Sequence, residues 1–177
     1  MELIRLQDPA DPRFREAMGH YAVSFPHHEQ RRSPSQAAIM ADGDYHFYLL
    51  QEDRQDVGAL LCWQAPEFIY VEHFFVYPDC RGNGHGARAL KELGKLGKTV
   101  ILEIDPPVDE VSRRREGFYR RCGFHPNPYP HVHPPYHRGN EGHGLVILSA
   151  PRPISWEEYD RFNAYLRDRV MAGALEG

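Results

Sequence analysis

Two hydrophobic periods take turns along this chain, and the switches between them mark its elements. Glu2 to Leu6 alternates polar and apolar positions with period two, as a short strand does. After Asp11-Pro12 the apolar positions Phe14, Met18, Tyr21 and Phe25 follow at spacings of 4, 3 and 4, one face of a helix that Pro26 ends. A second short helix is expected over Ser35 to Met40, beyond the polar turn around Arg31 to Pro34. Tyr45 to Leu50, Val57 to Trp63 and Phe68 to Tyr77 read as three strands, joined by turns short enough for antiparallel neighbours. Ala87 to Gly97 is helical and Lys98 to Ile104 is a buried strand closed by Asp105-Pro106-Pro107. Asp109 to Arg121 returns to helix, with Gly123 as its stop. His125 to Gly144, rich in Pro, His, Tyr and Gly, is predicted to be a long loop with little regular structure. Leu145 to Leu148 is a last strand. Trp156 to Met171 is a terminal helix with Trp156, Tyr159, Phe162, Tyr165 and Leu166 on its apolar side.

At 177 residues this succession fits one domain over residues 1–177, with the helix over 155–171 packed on it. Hydrophobic residues at 41 % and aromatics at 12 % exclude a disordered chain. A formal charge of −4 gives no general pull toward nucleic acid or anionic lipid, so neither is expected as a partner. Three scattered cysteines and no CxxC pair argue against a disulfide framework or a cysteine zinc site. There is no signal-peptide pattern and no apolar run of membrane-spanning length, and a cytoplasmic protein, monomer or homodimer, is expected.

The chemistry concentrates in Arg81-Gly82-Asn83-Gly84-His85-Gly86, between the Phe68 strand and the helix beginning near Ala87. Three glycines let the backbone approach a ligand and leave N–H groups unpaired, and the helix N-terminus adds partial positive charge. Such a loop is an anion cradle suited to a pyrophosphate. A dinucleotide fingerprint would put glycine first, third and sixth, whereas here the glycines stand second, fourth and sixth. A Walker loop would need Gly-Lys-Ser/Thr, which is absent.

With Tyr119-Arg-Arg-Cys-Gly123-Phe124 closing a later helix, 38 residues beyond Arg81, this pattern resembles the GNAT acyltransferase superfamily. Arg81, Gly84 and Gly86 meet one family motif, and Tyr119, Gly123 and Phe124 the other. The likeness runs from about Glu2 to Leu148. It implies an α/β fold: a central mixed, mostly antiparallel sheet of six to seven strands, flanked by helices and splayed between the fourth and fifth. It further implies an N-acetyltransferase using acetyl-CoA (coenzyme A), with a small-molecule or peptide amine attacking the thioester directly. The alternative is a catalytically inactive CoA-binding sensor or interaction module.

On that resemblance, Arg81, Gly82, Asn83, Gly84, His85, Gly86 and Ala87 hold the cofactor's pyrophosphate. Phe74, Phe75 and Val76 border its pantetheine arm. Ser112 is a candidate to replace an asparagine that many members carry after the fifth strand. Tyr119 touches the cofactor as general acid for the departing thiolate, and the run Arg113 to Arg115 could contact the adenosine 3′-phosphate; with Arg120 and Arg121 these arginines are also a candidate basic patch. Glu72, at the place where a base often stands, is the first candidate for that role; desolvation among aromatic neighbours is expected to raise its pKa. His73, expected on the opposite strand face, and water alone remain open. Glu29, Glu72, Glu103, Tyr129 and Tyr136 are the acceptor-binding candidates and favour a cationic amine. The histidines at 125, 131, 133, 137 and 143 could bind zinc or nickel but have no evident carboxylate or cysteine partner, so no metal is assigned.

Overall fold

The computed structural model describes residues 1–175. Eight strands form the sheet: β1 (Glu2–Leu6), β2 (Tyr45–Glu52), β3 (Gln55–Gln64), β4 (Phe68–Val76), β5 (Thr99–Ile104), β6 (His125–Pro126), β7 (His131–His133) and β8 (His143–Ala150). Their order is β1-β2-β3-β4-β5-β8-β6, with β7 also paired to β8. All neighbours are antiparallel except β4 and β5. The sheet has eight strands against the six to seven expected, and β6 and β7 come from the segment predicted as irregular loop. That segment is pinned by buried polar residues its composition hides. Asn127 donates to Ser149 Oγ (2.9 Å) and accepts from the Ile154 N–H (2.9 Å), while His131, His133 and Tyr136 are buried.

Five α-helices flank the sheet: α1 (Pro12–Ser24), α2 (Ser33–Ile39), α3 (His85–Gly94), α4 (Glu110–Arg121) and α5 (Trp156–Tyr165). Their starts follow local chemistry. Asp11 caps α1 ahead of Pro12, and reciprocal capping boxes, Asp109 with Ser112 and Ser155 with Glu158, open α4 and α5. The terminal helix leaves α geometry at Leu166, where Met171 N–H reaches back five residues (2.9 Å).

Each sheet face carries its own core. On one, Tyr21 of α1 and Phe162, Leu166 and Val170 of the terminal segment cover Tyr45, Phe47, Leu61, Trp63, Tyr70 and Phe75. On the other, Ala89, Leu90 and Leu93 of α3 and Tyr119 of α4 cover Leu60, Ile69, Val71 and Leu102.

Between β4 and β5 the sheet opens. Their parallel pairing runs from Phe68↔Thr99 to Val71↔Leu102 and stops there. On the other side of β4, Leu61 pairs with His73 but Cys62 with Val71, so Glu72 is an extra, bulged residue. The bulge resets the strand's alternation. Glu72 and His73 both lie on the α1 side, where strict period two would have put them on opposite faces; that expectation is corrected here.

Candidate active site

A cavity of about 1150 Å³ fills the opening and reaches both faces of the sheet. Its walls come from the α1 end and the turn at His28 and Glu29, from β4 residues 70–76, the glycine loop, the end of β5, α4 and the 133–145 segment.

At one end lies the glycine loop. Gly82 and Gly84 have φ of +83° and +74°, a conformation that side chains resist, and Gly84 is the N-cap of α3. A Cβ on Gly86 would stand 3.2 Å from Phe118 Cζ and 3.5 Å from Phe74 Cζ, so only glycine fits there without displacing an aromatic ring. N–H groups from Gly82 to Ala87 donate to no backbone carbonyl outside the helix, and the first turn of α3 cannot bond them internally. The loop is thus a built donor cluster. Arg81, Arg115 and Arg121 also line the cavity.

Tyr119 projects from α4 into the cavity wall, its ring edge-on to Phe118 and Phe124. Burial pushes its phenol up to about 12, so it holds its proton across the neutral range.

On the opposite side Glu72 is buried beneath Arg31. The guanidinium donates to Glu72 Oε1 through Nε (3.1 Å) and Nη2 (2.9 Å), and Tyr136 OH donates to the same oxygen (2.8 Å). Trp63 Nε1 donates to Oε2 (2.8 Å). Burial alone would raise this carboxyl, but the Arg31 charge, the neighbouring His73 and the hydrogen bonds outweigh it and hold it at about 2. The expected upward shift is therefore corrected.

His73 packs edge-on to Tyr21 and Phe25. Its Nε2 lies 2.9 Å from the Glu29 carbonyl, which can only accept, so Nε2 carries the hydrogen and Nδ1 the lone pair. That Nδ1 and Ser24 Oγ are buried without a partner among the described residues, and both residues line the cavity. Burial depresses the His73 pKa, outweighing the pull of Glu72, so the ring is neutral near pH 7.

Glu103, on β5, accepts from Tyr70 OH (2.5 Å) and is paired with His131, whose Nδ1 lies 3.0 Å from Tyr159 OH. Burial would raise this carboxyl too; the charge of His133 and the bonds from His131 and Tyr70 bring it below its ordinary value. His133 Nδ1 donates to the Pro134 carbonyl (2.6 Å), leaving Nε2 3.3 Å from Tyr136 OH.

Residues 43–126 match the family model described as acetyltransferase (GNAT) domain. That stretch is similar to a GNAT acetyltransferase domain. Across the whole fold the chain is similar to a candidate GNAT-family acetyltransferase of Bacteroides thetaiotaomicron, at 25 % identity and a TM-score of 0.90, with 96 % of this chain and 98 % of that one covered. The candidate acetyltransferase YjbC of Bacillus subtilis (strain 168) is 31 % identical over 90 residues, a stretch spanning 45 % of this chain and 46 % of YjbC's length. An aminoglycoside 6'-N-acetyltransferase solved with coenzyme A shares the fold, with a TM-score of 0.58 at 14 % identity over 87 % of this chain and all (100 %) of that one.

The fold brings together Phe74, Phe75, Val76, Arg81, Gly82, Gly84, His85, Gly86 and Tyr119 on one cavity, with Glu29, Glu72, Glu103 and Tyr136 across from them. Asn83 stays within the loop, its amide 3.4 Å from the Cys80 carbonyl, and Ala87 turns to the other side of α3. Ser112 does not reach the cavity, because its hydroxyl is spent on the α4 capping box. Tyr129 is also elsewhere, donating to the Ile154 carbonyl (2.7 Å) and stacked on Tyr159. Of the arginine run, Arg113 bonds the Val108 carbonyl and Arg114 pairs with Glu110. Arg31 and Ser24 were given no individual role from the sequence, and His133 was named only among the histidines that could bind metal. Arg31 looked like part of a solvated polar turn, and only the fold carries it to Glu72.

Proposed function

We propose that this protein transfers an acetyl group from acetyl-CoA to a primary amine of a small cationic acceptor, by direct attack. One observation carries the reading: a single cavity joins an anion-binding loop, an unpaired β4 edge and an acidic, aromatic wall. In this reading the pyrophosphate sits on the N–H groups of Gly82 to Ala87. The pantetheine arm follows Phe74 to Val76, where β4 has lost its β5 neighbour, and its amides complete the ladder. Coenzyme A bound to an aminoglycoside acetyltransferase of the same fold is consistent with this use of the opening.

The amine enters from the side of Ser24, Glu29 and Glu103. An ammonium must lose a proton before it attacks. Glu72 is a poor acceptor, since its oxygens are filled by Arg31, Tyr136 and Trp63 and its carboxyl is held near the bottom of the range. His73 takes the role instead: its residue lines the cavity, its ring is neutral, and its buried Nδ1 has no partner among the described residues. Glu72 acts as a fixed negative charge beside it. As the carbon–sulfur bond breaks, Tyr119 OH donates to the thiolate. With its phenol near 12 against about 8.5 for a thiol, Tyr119 stabilises the thiolate by hydrogen bonding rather than surrendering its proton.

A panel of polyamines, aminoglycosides, amino acids and peptide N-termini, incubated with acetyl-CoA and read by free thiol and product mass, tests the proposal. Acceptor-dependent thiol release is expected with a cationic member. Acetyl-CoA binding with no turnover on any amine would favour the inactive CoA-binding module.

A further inference from the structure

At the mouth of the cavity three side chains converge that neither the fold's core nor the proposed transfer requires as a set. His28 Nε2 lies 3.6 Å from Glu29 Oε1, and His143 Nδ1 lies 3.9 Å from the same oxygen. All three ligand atoms fall within 4.8 Å of one another. A tetrahedral zinc with bonds of about 2.1 Å sets its ligands about 3.4 Å apart, so sub-ångström side-chain shifts close the site.

His143 carries the second observation. Its other nitrogen, Nε2, is 3.3 Å from Asp105 Oδ1, and Asp105 Oδ2 is anchored by Arg115 Nη1 (2.9 Å). His143 thus stands between two carboxylates, its Nδ1 toward Glu29 and its Nε2 toward Asp105. The side chains of His28, Glu29 and His143 are 57 %, 27 % and 38 % exposed, so an ion can reach them from solvent.

We propose that His28, Glu29 and His143 form a binding site for one borderline divalent cation, zinc above all. Two imidazoles and one carboxylate match its ligand preferences and leave a fourth position for water or a donor atom of an entering molecule. The site shares Glu29 and its cavity with the proposed acceptor side, but its evidence is separate. It rests on ligand geometry at the rim and stands even if the proposed reaction fails.

Calorimetric titration of the full, tag-free chain with zinc chloride at pH 7.5, after chelator treatment, tests it. One equivalent should bind. His143→Ala and His28→Ala, with circular dichroism like that of the parent, should each weaken binding about tenfold or more. Asp105→Asn should weaken it less while leaving the stoichiometry at one. No saturable binding, or binding that both histidine variants leave undiminished, would overturn the proposal; the second result would move any zinc to the buried His131 and His133 or to an adventitious surface site.

Discussion

Arg31 and Glu72, 41 residues apart in sequence, meet as an ion pair whose side chains are 0 % and 1 % exposed, with Nη2 2.9 Å from Oε1. Arg31 also donates to Ser35 Oγ (3.1 Å) and to the Val170 carbonyl (2.7 Å), and its guanidinium lies over the rings of Trp63 and Tyr136. One side chain thereby ties the start of α2, the bulge of β4, the 133–136 segment and the end of the chain's terminal helix together.

The first prediction concerns that pair. Removing one partner strands a buried charge, so Arg31→Ala should destabilise the fold by about 3–5 kcal/mol in urea unfolding. Replacing both partners with apolar residues should cost less than either single change. Because the folded-state pKa of Glu72 is depressed to about 2, its contribution is present above the ordinary carboxylate value. It should fade as pH falls from about 4.5 toward 2. Stability of Glu72→Gln should vary less with pH across that window. Equal acid sensitivity of parent and variant would remove the argument.

A second prediction separates His73 from Glu72. If His73 Nδ1 takes the proton, His73→Gln should lower kcat by about 10²-fold and abolish its inflection on the acid limb of the pH–rate profile. Since burial depresses the His73 pKa, that inflection should lie below the usual histidine value. Glu72→Gln should retain the inflection, although displaced. An unchanged profile in His73→Gln would hand the step to water.

Tyr119→Phe removes only the hydroxyl from a ring that packs between Phe118 and Phe124. Loss of the hydrogen bond to the departing thiolate should lower kcat by about 10²-fold. The acetyl-CoA affinity and melting temperature should stay close to the parent's. A fall in affinity with kcat unchanged would assign Tyr119 to packing and binding.

Much of this was legible in the chain because local chemistry set it. The glycine loop, the Asp11-Pro12 helix start and the hydrophobic periods of β2 to β5 act over a few residues each. The 125–144 segment was misread for the opposite reason. Its order comes from partners far away in sequence: Asn127 with Ser149 and Ile154, His131 with Glu103, and Tyr136 with Glu72. Glu72 illustrates the same limit. Its aromatic neighbours on β4 predict desolvation and a raised pKa, and nothing local announces that Arg31 crosses the fold to reverse the sign. The bulge at Glu72 is equally silent in sequence, yet it brings Glu72 and His73 to one face.

The central claim is that the cavity between β4 and β5 is an acyl-CoA site with the glycine loop as its anchor. Calorimetric titration of acetyl-CoA into the parent and Gly86→Val tests it most directly, because a Cβ at 86 would press on Phe118 and fill space beside Phe74 within that site. The account predicts stoichiometric binding by the parent, weakened about tenfold or more in a variant that remains folded. Absence of binding by the parent, or binding that the folded variant leaves untouched, would contradict it.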